Sequence, residues 1–287
     1  MRFRRELDGL LNILPQNLYM NLEIIAQKTI DIVKIAGEFI KTEATKFSSE
    51  SIEYKAVNNV VSYVDKGAEE ILVDGLRQIL PEAGFITEEG TVEQSKENEL
   101  NWIIDPVDGT ANFVHGLPVY CVSVALVQNK KPIVGVILHL GNDELFWAWK
   151  DGGAMIKKGD GETQKLKVSS AKTLSASLLA TGFPYYQFEK QHQYLEILKE
   201  LMQKTHGLRR MGAAAIDLAY VAMGRFEAFY EYNLQPWDMA AGILLIQEAG
   251  GFVTDFAGGD NYLFGGDIVA GCEVQKELLA VIESHWK

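Results

Sequence analysis

The sequence is poor in cysteine, in positive charge and in long apolar runs, and each scarcity excludes something. Its two cysteines, Cys121 and Cys272, lie far apart in 287 residues with no CxxC spacing. That leaves no basis for a disulfide framework or a cysteine zinc site, and it fits two reduced thiols in a cytoplasmic protein. Lysine and arginine number 27 against 39 acids, a net charge of -12. Surfaces that hold duplexes or polyphosphates are normally basic, so nucleic acid is not expected as the main ligand. No segment approaches the ~20 apolar residues needed to span a bilayer, and no membrane association is expected. Met1 to Arg5 carries the charge of a signal-peptide start, but Glu6, Asp8 and Pro15 interrupt the apolar residues after it. Repeats, low-complexity tracts and a clear linker are absent as well.

What is present is an ordinary globular composition, 47% hydrophobic and 23% charged. Leu22, Ile25, Ile32, Val33, Ala36 and Ile40 mark the apolar stripe of a long helix starting near Met20, interrupted by Thr29. A strand is expected over Val57–Val64, then a helix over Lys66–Leu80 stopped by Pro81. Short strands come next at Gly84–Thr87 and Trp102–Ile104. Val119–Val127, Ile133–Leu138 and Leu145–Trp149 read as an antiparallel meander. Farther on, strands are expected at Ser177–Thr181, Glu227–Tyr232 and Ile268–Ala270. Helices are expected at Gln191–Thr205, Ala213–Met223, Pro236–Ala249 and Lys276–Ser284. This mixture gives a layered α/β (mixed α+β) class with a mixed sheet. Residues 1–19 read as an N-terminal extension. Residues 20–287 read as one domain whose halves, about 20–165 and about 166–287, pack together.

The strongest local signal is Trp102-Ile103-Ile104-Asp105-Pro106-Val107-Asp108-Gly109-Thr110. A buried strand delivers Asp105 to its carboxyl end. Pro106 is expected to force a turn because it cannot continue a central ladder, which brings Asp108 round to the same side. Gly109 allows close backbone approach, and the amides and hydroxyl around Thr110 form a cradle suited to phosphate. Two such aspartates can serve hard cations, which take carboxylate and carbonyl oxygens and complete their shell with water and substrate phosphate. Singly, a D-x-x-D-G segment also fits a turn whose acids cap backbone amides. Glu88-Glu89, at the end of a short strand, and Asp238, in the first turn of the Pro236 helix, are two further acidic elements. An acidic protein that binds an anionic substrate needs cations between the two.

In this order the segments resemble the inositol monophosphatase family of the lithium-sensitive phosphatase superfamily. The resemblance rests on Glu88-Glu89, on Trp102 to Phe113, on Arg209 to Leu218, and on Trp237-Asp238 followed by Ala240-Ala241-Gly242 and Glu248-Ala249-Gly250-Gly251. It covers roughly residue 22 to the end. It implies an alternating α-β-α-β-α sandwich of the sugar-phosphatase type, commonly a homodimer, working with two or three Mg2+ ions per subunit. By the same resemblance Glu88, Asp105, Asp108 and Asp238 are metal ligands, and Val107 ligates through its carbonyl. Asp65 corresponds to an acid at a third, weaker metal position. Gly109 and Thr110 correspond to phosphate-binding backbone, Thr110 with Asp65 aims the attacking water, and Glu88 counts among the catalytic groups. Ala214, Glu231 and Asp238 fall at substrate-binding positions. Two stretches depart from the family pattern. Asn59-Val60-Val61-Ser62 replaces Asp-x-Val-Thr, and Gly212-Ala213-Ala214-Ala215 lacks a hydroxyl near the substrate. His115, close after the motif, reads as structural or substrate-near.

The expected reaction is hydrolysis of a small phosphate monoester, inositol monophosphate first. Fructose-bisphosphatase, histidinol-phosphatase, NADP phosphatase and phosphonucleotide phosphatase are the alternatives within the superfamily, and a regulatory or scaffolding role is the alternative outside catalysis. Met20 is also a candidate translation start. Intact mass of the natively expressed protein tests this, and a mass that includes residues 1–19 refutes it.

Overall fold

The computed structural model describes residues 20–46, 52–56, 59–97, 99–184 and 186–287. The expected extension, residues 1–19, and Val57, at the start of an expected strand, lie outside them. No helix among the described residues is long and apolar enough to cross a membrane.

Helix α1 (Leu22–Ala44) begins at Asn21, whose side chain accepts the Ile24 amide at 3.2 Å. Its buried stripe includes Thr29, whose hydroxyl donates to the Ile25 carbonyl at 2.9 Å, so the interruption in the stripe is satisfied within the helix. A hairpin of β1 (Ile52–Ala56) and β2 (Asn59–Ser62) leads into α2 (Tyr63–Ile79), which starts three residues before the expected Lys66.

Next come β3 (Gly84–Thr87), β4 (Leu100–Asp108), a short α3 (Thr110–Val114), β5 (Cys121–Gln128), β6 (Lys131–His139), β7 (Glu144–Trp149), β8 (Gly153–Lys158) and β9 (Gln164–Lys165). Strands β3 to β9 form one sheet in sequence order, with β3 parallel to β4 and the rest antiparallel. The meander is as expected. Strands β8 and β9, which sequence reasoning did not find, extend it. The second sheet has the order β11-β10-β12-β14-β13, built from β10 (Leu178–Thr181), β11 (Gly207–Arg209), β12 (Ala228–Glu231), β13 (Phe252–Thr254) and β14 (Ile268–Gly271). Its helices are α4 (Gln191–Lys204), α5 (Ala214–Ala222), α6 (Pro236–Glu248), α7 (Tyr262–Gly265) and α8 (Gln275–His285).

The layers follow from the faces these elements bury. Trp102 and Ile104 of β4 join the core shared with α1 and α2, while Ile103 between them joins the core shared with α5 and α6. That is the two-residue alternation of a strand buried on both faces. Helices α5 and α6 lie between the sheets, and α4 and α8 cover the outer face of the second. The fold is therefore an α-β-α-β-α sandwich.

One expectation is corrected. Pro106 does not end β4, because the strand continues to Asp108. Asp105 pairs with Ser123 and Asp108 with Cys121, so one extra residue is accommodated between them. A bulge of this kind needs no ladder donor at the extra position, which is why proline is tolerated there. The bulge also re-aims the end of the strand.

The sheet meets α6 closely at Gly135. A Cβ there would come within 2.9 Å of the Ala241 carbonyl oxygen and 3.0 Å of its Cα. Backbone cannot yield as a side-chain tip can. Gly135→Val is expected to destabilise the protein by about 1–3 kcal/mol through overpacking. Thermal unfolding checks this, and an unchanged midpoint would refute so tight a contact.

Candidate metal centre

The fold brings three strand ends and two helix N-termini to one place. Strands β3 and β4 run parallel with Thr87 opposite Ile104, and the Glu88 amide donates to the Ile104 carbonyl at 3.2 Å. Both strands therefore release their acids, Glu88 and Asp105, side by side. The Asp105 side chain accepts the Val107 amide at 3.0 Å through Oδ1, closing the bulge on itself.

Asp108 is held by the next layer. Its Oδ2 accepts the Ala215 amide at 2.7 Å, and the Ala214 amide also hydrogen-bonds to it. These are first-turn donors of α5, which have no partner within the helix. The Cys121 thiol lies 3.8 Å from the same oxygen. Asp238 closes a capping box at the start of α6: its Oδ2 accepts the Gln235 amide at 2.7 Å, and the Gln235 side chain bonds the Asp238 backbone.

With these anchors, Asp105, Asp108 and Asp238 each offer an oxygen such that the three atoms lie within 4.8 Å of one another. Electrostatics measures the strain. Burial pushes the Asp105 carboxyl well up, and the charges of Glu88, Asp108 and Asp238 push it further. The Glu88 side chain lies beside Asp105 and adds to the upward shift. Asp108 is raised to about 6 by burial, against the pull of its backbone donors and Arg210. Asp238 is raised by burial and by the charge of Asp108. All-oxygen donors, carboxylate and unneutralised, suit hard divalent cations.

The remaining expected residues surround this centre. The Thr110 hydroxyl lies 3.0 Å from Asp65 Oδ1 and 3.0 Å from the Val107 carbonyl oxygen, within donating reach of both. Asp65 is buried in the first turn of α2. Gly109 takes φ 92°, and a Cβ there would meet the Val119 carbonyl at 2.8 Å, so this turn admits only glycine without strain. Ala214 contributes its amide to Asp108. Glu231, at the end of β12, is buried against Gly182 and raised to about 8 by burial and by Asp108, with Arg210 opposing. Exposed His115 caps the C-terminus of α3.

Sequence reasoning missed three charged groups here. Arg210 offsets the charge of Asp108, Asp217 and Glu231, and its guanidinium stacks 5.6 Å from the Phe183 ring. Asp217, buried in α5, is raised well up by burial and by Glu231, and its Oδ1 has no hydrogen-bond partner among the described residues. Glu69 of α2 binds the loop around Glu88. An acid inside an apolar helical stripe was the available signal for Asp217 and Glu69.

The inositol monophosphatase family model matches residues 21–287. This chain belongs to the inositol monophosphatase family. Within it, the chain is 41% identical to Nus factor SuhB of Pseudomonas aeruginosa, covering 87% of this chain and 92% of the relative. It is 39% identical to inositol-1-monophosphatase of Rhizobium meliloti, covering 86% and 92%. The crystal structure of extragenic suppressor protein suhB from Bartonella henselae superposes with a TM-score of 0.81 at 36% identity, over 90% of this chain and 97% of that one.

The raised carboxyls predict a sign for pH dependence. Asp108 and Glu231 titrate at about 6 and about 8 when folded, against roughly 4 in the unfolded chain. Between those values the folded state holds protons that the unfolded chain has lost, so stability falls as pH rises. In chelator, the unfolding midpoint is expected to drop from pH 5 to pH 8, and Glu231→Gln is expected to flatten the upper part of that slope. A midpoint that rises over this range contradicts the assignment.

Proposed function

We propose that this chain is a magnesium-dependent phosphatase acting on small phosphate monoesters, with inositol monophosphate as the substrate. The reading is carried by one observation, the approach of the Asp105, Asp108 and Asp238 oxygens to within 4.8 Å. Mutual repulsion makes that arrangement costly in the absence of cations and useful in their presence.

Glu88, Asp105, Asp108, Asp238 and the Val107 carbonyl would hold two or three Mg2+ ions, with Asp65 near a weaker position. Bound magnesium supplies Lewis acidity toward phosphate oxygens and lowers the pKa of water. Thr110, when its proton is directed to Asp65, presents a lone pair that can accept a hydrogen bond from the attacking water and so aim it. Amides around Gly109 and Thr110 bind phosphate oxygens. Burial raises the Glu231 carboxyl to about 8 in the cation-free protein. Its buried carboxyl can hydrogen-bond substrate hydroxyls, which favours a polyol leaving group, and Ala214 is the other expected substrate-binding position. Water oxygen bonds to phosphorus as the ester oxygen leaves, giving alcohol and inorganic phosphate. Lithium is expected to compete at one cation position, and the family precedent is a cytoplasmic homodimer.

A second reading is favoured by the name of the Pseudomonas relative. A role of the Nus-factor kind could use the same fold without turnover. Phosphate release from a panel of sugar, inositol and nucleotide monoesters, with and without Mg2+, tests the enzyme. Asp108→Asn and Asp238→Asn are each expected to lose activity at least a hundredfold, ~3 kcal/mol of barrier, with unchanged circular dichroism. Near-normal turnover in either variant would sink the assignment. A bisphosphate or nucleotide preferred by a wide margin in kcat/KM would move it to another phosphatase of the superfamily. Loss of turnover with the cellular role intact would favour the second reading.

A further inference from the structure

The Glu69 carboxylate is fully buried in the middle of α2 and is not one of the three acids whose oxygens converge. Its Oε1 accepts the Thr87 hydroxyl at 2.9 Å, the Thr91 amide at 2.8 Å and the Thr91 hydroxyl at 2.8 Å. Its Oε2 accepts the Glu89 amide at 2.8 Å. Four donors match the acceptor capacity of a carboxylate. All come from residues 87–91, the segment that carries Glu88. Gln94 reinforces the same segment, accepting the Thr87 amide at 2.8 Å and donating to its hydroxyl at 3.1 Å. Glu69 also stands one helical turn after Asp65, the residue that meets Thr110. A single helix therefore carries both Asp65, the partner of Thr110, and the clamp on the Glu88 loop.

We propose that Glu69 is a positioning residue that fixes the loop 87–91 so that the Glu88 carboxylate is set in advance for a cation. The proposal rests on the metal-dependent reading of the site. A short polar loop left free must be ordered each time a cation binds, and that cost weakens binding. Glu69 meets it during folding. Filling space does not explain the choice of residue: an apolar side chain at position 69 would occupy the volume but leave the amides of Glu89 and Thr91 without their acceptor.

The test uses the full chain and Glu69→Gln. Glutamine keeps one acceptor oxygen and turns an NH2 group toward the Glu89 amide, so that bond is lost selectively. Amide exchange at Glu89 is expected to quicken about tenfold, the scale of one charge-assisted hydrogen bond, with β5 and β6 unchanged. The Mg2+ concentration for half-maximal phosphate release is expected to rise about tenfold, while substrate KM at saturating Mg2+ stays the same. Faster exchange without any change in Mg2+ requirement would make Glu69 merely structural and overturn the proposal. Unchanged exchange at Glu89 would overturn it as well. If the natural protein releases no phosphate from any substrate, the phosphatase reading fails alone. Mg2+ affinity by calorimetry then decides: tenfold weaker binding in Glu69→Gln supports the clamp, and equal affinity overturns it. Should Glu69→Gln not fold, Thr91→Val removes one donor and keeps the carboxylate. A threefold rise in Mg2+ requirement or dissociation constant supports the proposal, and no change overturns it.

Discussion

Repulsion among converged carboxylates is the constraint around which this molecule is built. Asp105, Asp108 and Asp238 meet within 4.8 Å, with the charge of Glu88 acting on Asp105. At such distances like charges inside a protein cannot all ionise without a counter-charge. A chain held only by hydrophobic packing would let these ends drift apart. Here each acid is tied down by backbone of a different element: Asp105 by the Val107 amide in the β4 bulge, Asp108 by the first turn of α5, and Asp238 by the cap of α6. One oxygen of each acid nonetheless lies within 4.8 Å of the other two.

The sandwich makes those anchors rigid. Strand β4 is buried on both faces, and α5 and α6 lie between two sheets. Helix N-termini favour negative charge, so two carboxylates that would repel each other in solution are each favoured locally where they sit. The nearby cation of Arg210 acts in the same sense on Asp108, Asp217 and Glu231. None of these donors neutralises the centre. The deficit that remains is what a divalent cation can fill.

The separate acidic elements were legible in the sequence from residue type and local pattern, and the family resemblance joined them into one ligand set. Asp105 and Asp108 flank a proline after an apolar run, Asp238 lies two residues after Pro236, and Glu88 ends a short strand. Their separate positions become a site only through the parallel register of β3 with β4, which periodicity does not reveal. Pro106 misled because proline excludes itself from a regular ladder but not from a bulge. Strands β8 and β9 were missed since Gly153–Lys158 alternates weakly and Gln164–Lys165 is two residues long. Glu69 stands next to Glu70, and nothing in that local pair marks it out. Its spacing to Ala68, Leu72, Val73 and Leu76, all buried, places it in the apolar stripe instead, and Asp217 sits likewise in a helix of otherwise apolar buried residues.

Protons and cations compete for the same oxygens at this centre, and that competition links stability to ligand binding. Without cations, burial favours the protonated forms of Asp105, Asp108 and Asp238, and the charge of neighbouring acids adds to this at Asp105 and Asp238. A cation that takes the place of the bound protons binds the native state and not the unfolded chain, so it stabilises the fold while displacing those protons. The net charge of -12 then has a physical sense. A divalent cation held at this centre would reverse the sign of the local field in an otherwise acidic protein. That centre is the place where the backbone holds the acids too close together to remain fully ionised alone.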